Sequence, residues 1–435
     1  MTLNSPVTCI SLRANFAWTF IGNLIFSGCQ WAILVILARL GTPDIVGQFA
    51  LGLAICTPVM IFSNFQLRVI QATDLKDEYS FGDYFWLRLA TTVLSLLIIG
   101  AITYWSGYSR DTASVILLVG IAKCFESVSD VLYGFSQKYE RLDRVAISMI
   151  IRGPLGLGVV AVAFSLTHSL LWGTAAFGAA WAFSFFLVDI PNAVGLINGL
   201  PVQPDHPWWP TSPKRVLRLA RVAAPMGWVV FVLSLSSNMP RYFLQSSLGE
   251  AGVGLFSAVA ALPGILVLVI NPVIHTVLPR LARLHSSKDH GFWKMIGNSL
   301  VIVSSGGGLF IVAVAIFGKP ILDGLYGETY AGLSWLLILL GIAVAAQNLS
   351  TVFGAGLTAM RRFQIQGIMF TIHCGLTFLF CFWFIPRYSL LGAGIATIAS
   401  AFLQLFLVGM VLSLNWGAKI YGKELRSTSI CKPSI

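Results

Sequence analysis

Charge is what this sequence has little of. Only 10% of its 435 residues are Asp, Glu, Lys or Arg, while 57% are hydrophobic and the mean hydropathy is +0.82. A water-soluble fold of this size covers itself with charged side chains, so the composition excludes one. Catalytic signatures are missing too: there is no Walker-type glycine loop, no HExxH and no paired-carboxylate loop motif. The seven cysteines (Cys9, Cys29, Cys56, Cys124, Cys374, Cys381, Cys431) show no metal-ligand spacing and lie mostly inside apolar runs. They read as small buried apolar residues, without disulfides. No cofactor is implied. The net charge of +11 is not gathered into one basic patch, which speaks against a nucleic-acid partner.

What the chain does have is apolar runs of roughly 20 residues from end to end, each long enough to cross about 30 Å of hydrocarbon. With Pro, Gly and charge clusters as punctuation, they fall at 16–38, 45–67, 84–106, 112–135, 145–167, 170–198, 217–246, 252–279, 293–317, 330–358, 364–385 and 389–415. The first is longer than a signal-peptide core and reads as a retained helix. The expected fold is an all-α integral membrane protein of about twelve transmembrane helices. Lys and Arg support that count, because cytoplasmic loops keep positive charge. The side holding both termini collects 22 of the 28, including Lys138, Arg141, Arg144, Lys214, Arg215, Arg280, Arg283 and Arg362. The other side holds Arg39, Arg110, Lys319 and Arg387, with Lys123 and Arg241 inside spans. Both termini are therefore expected in the cytoplasm.

The sequence repeats itself. LARLGTPDIVGQFALGLAI (Leu37 to Ile55) follows span one, and LQSSLGEAGVGLFSAVAAL (Leu244 to Leu262) follows span seven. WGTAAFGAAWAFS (Trp172 to Ser184) in span six is echoed by YSLLGAGIATIAS (Tyr388 to Ser400) in span twelve. Six spans per copy is an even number, so the copies are parallel: an N-terminal lobe over 1–200, a cytoplasmic linker over 201–215, a C-terminal lobe over 216–416 and a cytoplasmic tail over 417–435. A pseudo-twofold axis along the membrane normal would relate the lobes. Two such bundles rocking about a central cavity is the architecture of alternating access.

The same phrases carry a family resemblance. LARLGTPDIVGQFAL, LYGETYAGLSWLLILLG (Leu325 to Gly341) and IPRYSLLGAGIATI (Ile385 to Ile398), with QKYER (Gln137 to Arg141) and MRRF (Met360 to Phe363), resemble the polysaccharide exporters and O-antigen-type repeat-unit flippases. These belong to the multidrug/oligosaccharidyl-lipid/polysaccharide superfamily, and the likeness covers essentially the whole chain. It implies a two-lobed, MATE-like transporter of the bacterial inner membrane. It also implies movement of an undecaprenyl-pyrophosphate-linked oligosaccharide from the cytoplasmic to the periplasmic leaflet. The implied partners are that lipid-linked oligosaccharide, membrane lipids, and a polysaccharide polymerase with its chain-length machinery.

Ionisable groups inside spans are expensive and mark the places where work is done. In span four, Lys123, Glu126 and Asp130 share an arc of about 80° with Tyr133 and Gln137. That face either lines a cavity, with Glu126 or Asp130 exchanging an ion and Lys123 meeting phosphate, or neutralises itself inside the lobe. In span seven, Asn238, Arg241 and Gln245 form a second stripe with Ser234. Arg241 suits an anion by its bidentate fork or, alternatively, snorkels to the headgroups. Arg39 and Arg152 are further candidates for an anionic headgroup, with interface anchoring as the other reading. Asp189, before Pro191, is a coupling carboxylate or a helix-end group. His275 and His373 are lone histidines on apolar helices, a setting more often structural than functional.

Three function classes follow. The first is a flippase for a lipid-linked oligosaccharide, coupled to an ion gradient and not an enzyme. The second is a multidrug or small-metabolite antiporter of the same fold, for which a carboxylate-dominated cavity is expected. The third, a polytopic glycosyltransferase or polymerase, needs a large catalytic loop that the short outer loops do not provide.

Overall fold

The computed structural model describes residues 11–74, 76–199, 208–287, 291–360 and 362–428. Every described element is helical: α1 (Leu12–Leu40), α2 (Pro43–Asn64), α3 (Leu67–Thr73), α4 (Phe81–Trp105), α5 (Arg110–Lys138), α6 (Leu142–Thr167), α7 (Leu170–Ser184), α8 (Ile190–Asn198), α9 (Pro213–Ala261), α10 (Gly264–Ser287), α11 (Gly291–Tyr326), α12 (Glu328–Ala331), α13 (Ser334–Ala359) and α14 (Phe363–Thr428). A π-turn, Phe185–Asp189, joins α7 to α8. Nine described helical stretches are long and apolar enough to cross a membrane. Helix α5 is as long, but Lys123, Glu126 and Asp130 interrupt its apolar character.

Two of the long helices contain a break. Gly249 (φ 68°, ψ −162°) interrupts α9 in a region that only glycine occupies without strain, and Ser389 (φ 52°, ψ −127°) interrupts α14 just after Pro386. Cut at these residues, and with 250–261 continued into α10 past Pro263, the described helices give twelve rods. Each overlaps one of the twelve expected spans, which bears out the all-α membrane fold.

The chain forms two compact units, Met1–Ala258 with Leu325–Gly327, and Val259–Gly324 with Glu328–Ile435. In the first, small residues let backbones approach, as suits a bilayer where burying apolar surface against a neighbour gains little over lipid. Gly22 of α1 lies on Ala146 of α6, Gly153 of α6 on Phe26 and Cys29, and Gly52 of α2 on Val119 of α5. Helix α9 runs antiparallel along α2. Gly227 sits on Phe62 and Phe65, the Tyr242 hydroxyl donates to the Ala54 carbonyl, and Glu250 reaches Gly47. The unit therefore extends to Ala258, past the expected linker. Residues 200–207 of that linker, residues 429–435 of the expected tail and the His275 side chain lie outside the described residues.

The described part of the linker is strapped to α4. Ser80 and Asp83 cap that helix reciprocally, and Asp83 also accepts from the Thr211 amide at 2.8 Å. Trp86 donates to the Trp208 carbonyl at 2.9 Å and stacks on Trp209 at 5.3 Å.

In the second unit, Leu281 of α10, Phe292 and Ile296 of α11, Val352 of α13 and Leu412 of α14 form the core. His373 is buried there, with Nε2 2.9 Å from the Ser400 hydroxyl and 3.2 Å from its carbonyl, the bonded packing role that a lone histidine usually has.

Gly82 tests the strap. A Cβ there would lie 2.0 Å from the Trp209 carbonyl oxygen and 2.4 Å from its carbon, backbone atoms that cannot rotate aside. Gly82→Ala should detach 208–212 and cost about 1–3 kcal/mol, the range for overpacking. A lowered melting temperature in detergent, with changed tryptophan emission from the Trp86–Trp209 pair, is the expected result; an unchanged melting curve would show that the strap contributes nothing.

Candidate functional site

The polar stripe of α5 opens on a cavity of about 270 Å³ within the first unit. Asn64 and Met60 from α2, Arg68 from α3, and Lys123, Glu126, Ser127 and Asp130 from α5 line it. The chain reverses at Phe65 and Gln66, both in the left-handed region, and this turn lays α3 back over α5 so that Arg68 faces Asp130. One wall is polar because residues 123, 126, 127 and 130 recur at helical spacing.

The two carboxylates have different surroundings. Glu126 has one cationic partner, Lys123 at 2.5 Å, and its side chain is 35% exposed to the cavity. Lys123 also lies 5.3 Å from the Trp181 ring centroid. Asp130 is held by two guanidinium groups, Arg88 at 2.9 Å and Arg68 at 3.6 Å, and Arg68 also donates to Gln137 at 3.1 Å. Arg88 is completely buried, with Nε and one Nη lacking a hydrogen-bond partner among the described residues. Ser127 completes the wall, bonded to Asn64 at 2.7 Å and Thr92 at 3.0 Å. Arg68 and Lys123 line the cavity with Glu126 and Asp130, two cations to two carboxylates, and the buried Arg88 adds a third cation outside the lining.

Arg152 and Asp189 lie behind this wall, paired with each other and closed to solvent. Asp189 also accepts from Ser129 at 2.5 Å, from Ser148 and from Tyr133 at 3.4 Å, while Arg152 donates to Ser129 at 2.7 Å and lies 5.0 Å from the Trp181 ring. The π-turn ending at Asp189 precedes Pro191, which has no N–H for the carbonyl four residues back.

Arg241 is not among the cavity residues. It donates across the Gly249 break to Ser257 at 3.0 Å and, on its own helix, to Asn238 and the Ser237 carbonyl at 3.2 Å, and no carboxylate pairs with it among the described residues. One turn on, the Gln245 side-chain oxygen is buried without a partner there. Arg39 donates to the Leu325 carbonyl at 3.1 Å, where it serves the end of α11. The structure thus brings Lys123, Glu126 and Asp130 together, pairs Arg152 with Asp189, and leaves Arg241 with Asn238 apart from both. Arg68 and Arg88 were missed in the sequence, where both count as loop-side cations. The usable signal was an arginine two turns inside the α4 apolar run.

The buried pair gives a prediction. Asp189→Asn strands the Arg152 charge and should destabilise the protein by about 3–5 kcal/mol, whereas Arg152→Met with Asp189→Leu should recover most of that loss. By the same logic Asp130→Asn should lower the melting temperature clearly, and Glu126→Gln, about a third exposed, should cost less than about 1 kcal/mol. Thermal unfolding in detergent measures all four; equal losses for the single and double variants would contradict the pairing.

Residues 12–285, more than half of the chain, match the polysaccharide biosynthesis protein family. A capsular polysaccharide biosynthesis protein, CapF of Staphylococcus aureus, is 26% identical over 392 residues, spanning 90% of this chain and 96% of the relative. Among solved structures, the lipid II flippase MurJ in an inward closed conformation superposes with a TM-score of 0.69 at 13% identity, over 92% of this chain and 87% of that one. An inward-facing multidrug resistance MATE transporter superposes with a TM-score of 0.63 at 12% identity, over 92% and 95%. At such identities the structural likeness establishes the fold alone. With residues 12–285 matched, the chain belongs to the polysaccharide biosynthesis protein family.

Proposed function

We propose that this protein is the flippase of a polysaccharide assembly route, turning an undecaprenyl-pyrophosphate-linked oligosaccharide from the cytoplasmic to the outer leaflet of a bacterial inner membrane. The carrying observation is the cavity on the α5 stripe. Lys123 and Arg68 line it inside an apolar bundle, and cations there suit a pyrophosphate that hydrocarbon would reject. Family membership supplies the polysaccharide context. The fold shared with a protein named as a lipid II flippase supports a lipid-linked cargo. In this reading the two six-helix lobes, 1–200 and 216–416, move cargo by alternating access with both termini in the cytoplasm, and no bond is made or broken. Arg241, with Asn238 and Gln245, offers a second cation on the route.

Movement is driven by an ion gradient in this reading, with Glu126 as the exposed carboxylate and Asp130 as the second candidate. Asp189 is sealed behind the wall and Arg152 with it, so neither is a first choice. A lipid-linked polymerase and chain-length machinery would act on the delivered unit.

The test is leaflet-specific. Deleting the gene should trap lipid-linked repeat units on the cytoplasmic leaflet, and Lys123→Ala should slow export roughly tenfold to a hundredfold, as loss of a charged hydrogen bond to phosphate requires. Export that continues at the parental rate without the gene would sink the reading. If repeat units reach the outer leaflet normally while drug efflux fails, the antiporter is the better account. Export unchanged in both Glu126→Gln and Asp130→Asn would remove those carboxylates from coupling.

A further inference from the structure

The two phrases of the sequence repeat meet in the first unit, and they meet reciprocally. A Cβ on Gly47 would lie 1.8 Å from the Glu250 carbonyl oxygen, and a Cβ on Gly254 would lie 1.9 Å from that of Pro43 and 2.8 Å from the Gly47 nitrogen. In the repeat Gly47 matches Gly254, and Pro43 matches Glu250. Each glycine therefore sits on the partner copy's residue four places earlier, the contact pattern of a twofold. Polar bonds close the seam. Glu250 accepts from Gln48 of α2 at 2.7 Å and from the Thr112 hydroxyl of α5.

We propose that this glycine seam, latched by Glu250, is the gate on the membrane face away from the termini. The inference rests on reading the chain as a transporter. Position supports it. Ten residues of α2 separate Gly47 from Thr57 at the cavity, and eleven residues of α5 separate Thr112 from Lys123, so the latch stands about 15 Å outward of the site along both helices. Energetics support it as well. Apolar interdigitation holds a permanent interface, whereas hydrogen bonds at a water-accessible end exchange for water at small net cost. A seam of glycine backbone and one doubly bonded carboxylate can part and re-form. Gly249, next to the latch, would direct a Cβ into open space and has a backbone conformation reserved for glycine, which suits a hinge at the start of the moving segment.

The experiment uses the full chain, with its native cysteines replaced, in oriented proteoliposomes. Thr57→Cys reports access to the cavity by a membrane-impermeant maleimide applied from the seam side. Glu250→Ala should raise the labelling rate about tenfold by removing both bonds, and Gln48→Ala by a smaller factor. Gly254→Ala, which wedges the seam, should act in the same direction. Should Gly254→Ala fail to fold, the two polar variants still decide the matter, since neither changes the packing of glycine on backbone. Gln48→Cys with Glu250→Cys, cross-linked by a short bis-thiosulfonate, should abolish both labelling and translocation of a fluorescent polyprenyl-pyrophosphate disaccharide, with recovery on reduction. Full translocation in the cross-linked protein would overturn the gate while leaving the flippase intact. Labelling that responds as described without any translocation of the disaccharide would uphold the gate and overturn the cargo. Labelling unmoved by Glu250→Ala and Gln48→Ala would refute the latch.

Discussion

Hydrocarbon does not tolerate an unpaired charge, and α5 carries three charged residues through it. Much of the first unit is arranged around that constraint. Lys123 and Glu126 neutralise one another along the helix, Asp130 draws Arg68 and Arg88 from two neighbouring helices, and Ser129 and Tyr133 join the closed Arg152–Asp189 pair. Three helices, α3, α4 and α6, are thereby fixed against α5 by electrostatics, in a medium where apolar packing alone discriminates weakly between neighbours.

The same arrangement separates structure from function within one stripe. A carboxylate shared by two guanidiniums, one of them fully buried, is a structural fixture, because moving it exposes a buried cation. A carboxylate held by one flexible lysine at the edge of a cavity can change partner at small cost. Asp130 and Glu126 lie one turn apart, yet the first is fixed between two guanidiniums and the second is held by one lysine at the cavity edge.

Much of the fold was legible in the sequence because bilayer thickness sets a length that apolar runs must match, and because Lys and Arg keep count of the crossings. Both breaks inside long helices fall at expected span boundaries, Gly249 between 217–246 and 252–279 and Ser389 at the start of 389–415, but which prolines would kink a helix was not legible. Pro386 stands just before the break at Ser389, whereas Pro58 and Pro154 sit in unbroken helices. The stripe on α5 could be read from one helix, since its residues follow a single period. Its partners could not. Arg88 belongs to a different helix, 42 residues away from Asp130, and only the packing of α4 on α5 makes it a buried counter-ion. Arg152 and Asp189 were each visible as charges within spans, but no periodicity within either helix reveals that they meet.

The π-turn at Phe185–Asp189 shows how small an alteration can create such a meeting. It fits one residue more into the helix than a regular turn holds, so everything beyond it is rotated by about 100° relative to an ideal continuation. Asp189, Ala193 and Leu196 face inward only because of that phase shift. Removing one residue from the stretch would restore an ordinary helix and turn the carboxylate toward lipid, leaving Arg152 without its counter-ion. A single added residue thus decides whether this crossing turns its carboxylate to a buried arginine or to lipid.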